Sequence, residues 1–252
     1  MLVASHREAV HPVDPAYLPV HVGKARSDLN LGYQSDADGA NISLKNESYC
    51  ELTAIYWAWK NLQADAIGLS HYRRYFRGDA PGPSGSNVLS GNQMTEIMAK
   101  SDIAIGRPRN YVVETVESHY RHGHHGSDLD AVRMILADAA PDYVPSFEAV
   151  MQSRRLSLYN MFLMRAEVFN SYAAWLFPIL EASEPLIDNA KRDSYQRRTQ
   201  GYLGERLLNV WVRANMREFR VKLLPIVNTE GEPKLTKGVN MLRRKVSGSR
   251  RA

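Results

Sequence analysis

Ala66-Ile67-Gly68-Leu69-Ser70-His71-Tyr72-Arg73-Arg74-Tyr75-Phe76 joins a short apolar run to a dense group of cationic and aromatic side chains. Residues 66–70 have the length and unbroken apolarity of a strand covered on both faces, which is the signature of a parallel sheet. In open α/β sheets ligands settle beyond the carboxyl ends of the strands, where the connecting loops diverge and leave a crevice. His71, Arg73 and Arg74 stand at such an end. Adjacent guanidinium groups can neutralise a diphosphate by bidentate hydrogen bonding, and His71 can donate to the same group. The same residues can equally form a surface arginine pair resting on packed aromatic stems.

Working outward, residues 1–5 and 18–22 read as two further buried strands, with more at 103–105, 158–164 and 221–224. Between them lie helical patterns. Ser48 and Glu51 have capping-box spacing ahead of a helix running through Lys60, and residues 113–151 read as two or three helices. Residues 166–190 read as a long helix disturbed at Pro178 and Pro185, and residues 195–215 as another. Residues 26–45 form a polar loop. Residues 79–92, rich in Pro, Gly and Ser, read as a mobile lid. Alternation of strands and helices predicts a single α/β domain over residues 1–229, with a mostly parallel central sheet flanked by helices. Residues 230–252 read as a basic, flexible tail.

Composition narrows the function. The chain has 252 residues, 44% hydrophobic and 23% charged, which is ordinary for a packed domain and excludes general disorder. Its net charge of +5 would suit nucleic acid, but the excess sits at the end. From Lys234 onward there are seven basic residues and no acidic one, so the preceding residues are slightly acidic overall. The tail therefore suggests an anionic membrane surface or a merely solvated terminus, and nucleic acid is not an expected partner. The single cysteine, Cys50, excludes an intrachain disulfide or a thiolate cluster and suits a reducing compartment. No signal-peptide pattern opens the sequence, and the longest apolar run, residues 172–180, is far below the ~20 residues that span a bilayer. A cytoplasmic location, peripheral on the inner face of the plasma membrane if the tail binds there, is expected.

Several segments carry a resemblance. Asn41-Ile42-Ser43-Leu44-Lys45-Asn46, the run from Tyr49 to Asn61, and His71 to Phe76 resemble capsular polysaccharide biosynthesis glycosyltransferases, a family formerly catalogued as a domain of unknown function. Asn160 to Met164, Trp175 to Leu180, and Gly201 to Trp211 agree in the same order. The resemblance implies a GT-A-like fold and inverting transfer of a sugar, galactofuranose in similar enzymes, from a UDP donor. The acceptor would be a bacterial surface polysaccharide or a lipid-linked glycan, as in capsule or O-antigen synthesis.

GT-A enzymes usually hold Mn or Mg through Asp-x-Asp at a strand end. His71-Tyr72-Arg73 stands where that motif would be, which disfavours a metal and leaves its role to the arginines. Asp36-Ala37-Asp38 matches only as text, in a loop. Glu205 is expected to be the catalytic base, or else a helix-terminus charge. His6, Asn41 and Asn46 are expected at the nucleotide with His71, Arg73 and Arg74, although Asn46 is also suited to capping the next helix. Asn160 is expected at the acceptor or the donor sugar, or as a buried structural amide. Trp57 and Trp59 read as packing residues. His119, His122, His124 and His125 lack a metalloprotease pattern and read as a solvated or acceptor-facing joint rather than a zinc site. A non-catalytic polysaccharide- or membrane-surface-binding module is the alternative to an enzyme.

Overall fold

The structure, a computed structural model, describes residues 1–230; the basic tail lies beyond them. The elements in order are β1 (Leu2–Ser5), β2 (Leu18–His21), β3 (Gln34–Ser35), α1 (Asn46–Tyr49), α2 (Leu52–Asn61), β4 (Ala66–His71), β5 (Arg74–Pro81), β6 (Asn87–Val88), α3 (Gly91–Lys100) and β7 (Ile103–Gly106). They continue as β8 (Arg109–Asn110), α4 (Val116–Gly123), α5 (Ser127–Ala139), α6 (Val144–Gln152), β9 (Arg155–Leu156), β10 (Phe162–Arg165), α7 (Ala166–Ser183), α8 (Thr199–Ala214), β11 (Val221–Leu224) and β12 (Ile226–Asn228).

The main sheet runs β11-β7-β10-β4-β1-β2-β3. Its pairs are parallel except those of β10, which lies antiparallel to both β4 and β7. This is the mostly parallel, helix-flanked α/β sheet expected from the sequence. Successive residues of a strand face opposite sides, and the core divides accordingly. Leu2, Ala4, Ile67, Leu69, Ile103, Ile105, Phe162 and Met164 pack beneath α2 and α5 to α8, while Val3, Ala104 and Leu163 pack on α3 and on Tyr75 and Phe76 of β5. Burial on both faces explains why these strands read as unbroken apolar runs.

Four local expectations are corrected. Ser48 and Glu51 do not form a capping box: Ser48 Oγ donates to Gln200, Cys50 takes a φ of 51°, and α2 starts only at Leu52. Residues 79–92 are not an open loop, because β5 extends to Pro81, β6 pairs back on it, and Ser90 with Gln93 makes a true capping box for α3. The strand expected at 158–164 starts only at Phe162, because Tyr159 and Asn160 both adopt positive φ. Pro178 sits inside α7 without ending it, and the helix stops at Ser183 before Pro185.

One buried ion pair fastens the connection from α7 to α8. Arg192 grips Asp128 of α5 with both terminal nitrogens, at 2.9 and 2.7 Å, and also donates to Thr199 at 3.0 Å. Tyr120 adds a hydroxyl at 3.1 Å to the same carboxylate. Both charged side chains are under a tenth exposed, so removing one partner strands a desolvated charge. Asp128→Ala is expected to destabilise the fold by roughly 3–5 kcal/mol in denaturant unfolding. A loss near zero would show that the pair does not anchor the segment.

Candidate active site

The register places the site. Because β10 runs backwards, its first residue lies opposite the far ends of its neighbours: Phe162 pairs with Leu69 of β4 and with Ile105 of β7. The residues just before β10 therefore meet His71 to Arg74 after β4, His6 after β1 and Arg109 after β7. The loop that arrives there and the start of α8 enclose a cleft of about 670 Å³, a size suited to a small-molecule substrate.

Tyr159 and Asn160 organise its floor. Two consecutive non-glycine residues in the left-handed region, with φ of 75° and 53°, are costly unless surrounding bonds over-determine them. Here they do. Tyr159 N–H donates to Glu205 Oε1 at 2.5 Å, and Tyr159 C=O lies 2.6 Å from His71 Nε2. Asn160 Nδ2 donates to Glu51 Oε1 at 2.8 Å and to the Gly201 carbonyl at 3.1 Å. A carbonyl only accepts, so His71 Nε2 carries the proton, and burial holds this histidine below its usual pKa in the neutral form.

Glu205 is a buried carboxyl of the cleft whose pKa is raised. Burial drives its pKa upward, against the opposing pull of Arg206, whose Nη1 donates to Oε2 at 2.8 Å, and of the Tyr159 N–H. It lies in the second turn of α8 rather than opening the helix, beyond the turn over which a helix dipole acts. The alternative of a helix-terminus charge is therefore set aside. Gly204 lets this helix come close: a Cβ there would stand 2.8 Å from Leu52 and 3.4 Å from Asn160 Oδ1.

Cationic side chains dominate the walls. Arg73, Arg74, Arg109, Arg198 and Arg206 line the cleft against the carboxylates Glu47, Glu51 and Glu205. The Arg74 guanidinium lies over the Tyr159 ring at 4.1 Å, within the range of a cation–π contact. Arg73 sits nearer the rim and pairs with Glu230 at 3.5 Å. Arg198 Nε donates to Cys50 Sγ at 3.2 Å. Burial lifts that thiol to about 11, so Cys50 is protonated at neutral pH and is no nucleophile. Its unusual backbone separates α1 from α2 and turns Glu51 into the cleft.

The sequence-derived candidates divide as follows. His6, Asn46, His71, Arg73, Arg74 and Glu205 line one cleft. Asn46 does not cap α2 by binding its free N–H groups; its amide donates to the Cys50 carbonyl and to Thr53 Oγ1. Asn41 is not among the cleft-lining residues: its amide closes its own loop on Ala37, Gly39 and Ser43, which removes it from the expected nucleotide contact. Asn160 is buried behind the floor and holds Glu51, so the structural-amide alternative describes its placement. Asp36 is fully buried and accepts from Gly23, Lys24 and Ser43, while Asp38 accepts from Gln34. That pair does not fit a metal. Among the described residues no group of three or more His, Cys, Asp or Glu side chains is arranged to ligate an ion.

The histidine joint is split. His119 and His124 line the cleft, whereas Glu114 accepts from His119 at 2.8 Å and from His122 at 2.7 Å. His119 also stacks on Tyr111, with centroids 4.2 Å apart. Burial depresses His124 to about 4. Sequence reasoning overlooked Glu51, Tyr159, Arg198 and Arg206. Only Glu51 carried a local signal, and that signal suggested a cap.

The structure thus brings strand-end arginines and a buried carboxylate to one cleft on a mostly parallel sheet. The chain belongs to the family described as Domain of unknown function (DUF4422), whose model matches residues 1–216. Among solved structures it is similar to the apo structure of WbbM, a bifunctional glycosyltransferase, with a TM-score of 0.83 and 28% sequence identity. That match covers 92% of this chain and 45% of the WbbM chain, so this chain spans less than half of its neighbour's length. No curated protein matches it.

The Glu205 environment has a measurable sign. A carboxyl whose folded pKa lies above its ordinary 4.5 contributes stability below that pH and loses it as pH rises through the raised value. Glu205→Gln cannot ionise, so its melting temperature relative to the wild type should be higher at about pH 7.5 than at about pH 4. A difference that is constant, or that falls with pH, would contradict the burial argument.

Proposed function

We propose that the chain is an inverting glycosyltransferase that moves a sugar, galactofuranose, from a UDP donor to a surface polysaccharide or a lipid-linked glycan at the cytoplasmic face of the membrane. The observation that carries this reading is the placement of strand-end arginines and a buried carboxylate around one cleft, bridged by the Tyr159 peptide. The similarity to a glycosyltransferase supports it.

In this reading Arg73, Arg74 and Arg198 hold the diphosphate, and the positive charge stabilises UDP as it leaves. Glu205 takes the proton of the acceptor hydroxyl while that oxygen bonds to the anomeric carbon. The bond from that carbon to the phosphate oxygen breaks on the opposite side, which inverts the centre. Burial suits Glu205 to this step, because a base is most effective when its pKa approaches the working pH. The Tyr159 N–H and Arg206 fix the carboxylate in place. The Asp-x-Asp text match has its carboxylates engaged in loop hydrogen bonds, so the arginines take the role that a divalent metal fills in other GT-A enzymes.

UDP is expected to raise the melting temperature by binding the folded state preferentially. Arg74→Ala should weaken UDP binding on the order of 10- to 100-fold, the loss of one charge-assisted contact. Glu205→Gln should retain UDP binding yet lower transfer by about 10²- to 10⁴-fold, and chelator should leave wild-type transfer unchanged. Full activity of Glu205→Gln would remove it as base, and strict manganese dependence would defeat the arginine role. Indifference to UDP would favour the non-catalytic binding module instead.

A further inference from the structure

The rim of the cleft at β8 and β9 has a composition that the transfer reaction does not use. Arg107, Arg109, Arg154 and Arg155 are all exposed. None of them pairs with a carboxylate among the described residues, whereas most other arginines of the described residues do. The β8–β9 ladder sets Asn110 opposite Arg155, and the Tyr111 N–H bonds the Arg154 carbonyl, which brings the two cationic stretches together. At the turn after β8, Val112 and Val113 are 67% and 59% exposed.

This turn is built rather than frayed. Val112 holds a φ of 64°, an outlier for a β-branched side chain. It is kept there by its N–H on Asn110 Oδ1 at 2.9 Å and by Arg154 Nη1 on its carbonyl at 3.1 Å, while the Val113 N–H bonds the Tyr111 carbonyl at 2.7 Å. Single exposed valines are commonplace. A strained turn that presents two of them among four guanidinium groups with no carboxylate partner is not, and it matches the chemistry of a bilayer interface: anionic headgroups for the arginines and an acyl boundary for the valines.

We propose that the β8–β9 rim docks the protein onto an anionic phospholipid surface. Arg109 and Tyr111 belong to both the rim and the cleft wall, so docking here brings the mouth of the cleft to headgroup level. Resting on the transferase reading, this delivers the cleft to an acceptor carried on a membrane lipid. In sequence the site is distinct from the basic stretch Lys234 to Arg251.

The test is flotation of the full chain with vesicles of phosphatidylcholine alone or with roughly 30% phosphatidylglycerol, without nucleotide or sugar. Binding is expected only to the anionic vesicles. The combined variant Arg154→Glu, Arg155→Glu, Val113→Asp should reduce the bound fraction at least ~10-fold while UDP still raises its melting temperature. Undiminished binding by this variant overturns the proposal, as does binding that disappears only when the seven basic residues from Lys234 onward are neutralised. A second variant, Val113→Cys on a Cys50→Ser background so that an environment-sensitive fluorophore labels the rim alone, guards against misfolding of the charge-reversal variant. Its emission should shift to the blue on anionic vesicles, and no shift overturns the proposal. Equal loss of binding to duplex RNA, with vesicle binding intact, would also overturn it. The vesicle-binding and fluorescence outcomes do not depend on whether UDP is the donor.

Discussion

The Tyr159 peptide is the constraint on which the cleft depends. Its N–H holds Glu205 of α8 and its carbonyl holds His71 at the end of β4, so one amide plane fixes the two sides of the site relative to each other. The left-handed backbone that makes this possible costs on the order of 1–2 kcal/mol per residue. It persists because Asn160, in the same conformation, is bonded to Glu51 and Gly201. Reversal of β10 within an otherwise parallel main sheet is what delivers this pair to the strand ends. A parallel β10 would carry residues 158–160 to the opposite edge.

Around that floor the electrostatics are asymmetric. The guanidinium groups lie toward the strand ends and the start of α8, with Arg74 resting on the Tyr159 ring and Arg198 on the Cys50 sulfur. The acidic groups are fewer and are each held by a donor: Glu205 by Arg206 and Tyr159, Glu51 by Asn160, and Glu47 by Arg26 and Arg197. Such an arrangement sets a cationic wall beside one desolvated carboxylate. His71, neutral and aimed at a carbonyl, contributes geometry rather than charge.

Much of the scaffold is legible in the residues themselves. Residues 2–5, 66–71 and 103–106 are short apolar runs because both faces of the sheet are covered, and such runs are easy to recognise. The carboxyl end of β4 could be singled out for the same reason, and with it His71, Arg73 and Arg74. What escapes is whatever depends on backbone conformation without a glycine to mark it. Cys50, Tyr159 and Asn160 take positive φ under tertiary bonds that no local pattern announces, so the helix start at Leu52 and the shortened β10 were not foreseeable. Arg198, Arg206 and Glu51 reach the site from distant stretches of chain, and Asn41 looked like a ligand only because its loop is polar.

The central claim is that the strand-end arginines and Glu205 face one another across a diphosphate. The most direct measurement is a crystal structure of the protein soaked with UDP. The account predicts diphosphate oxygens within hydrogen-bond distance of the Arg74 guanidinium, in the cleft bounded by Tyr159 and Glu205. Nucleotide bound elsewhere, with Arg73 and Arg74 untouched, would contradict it.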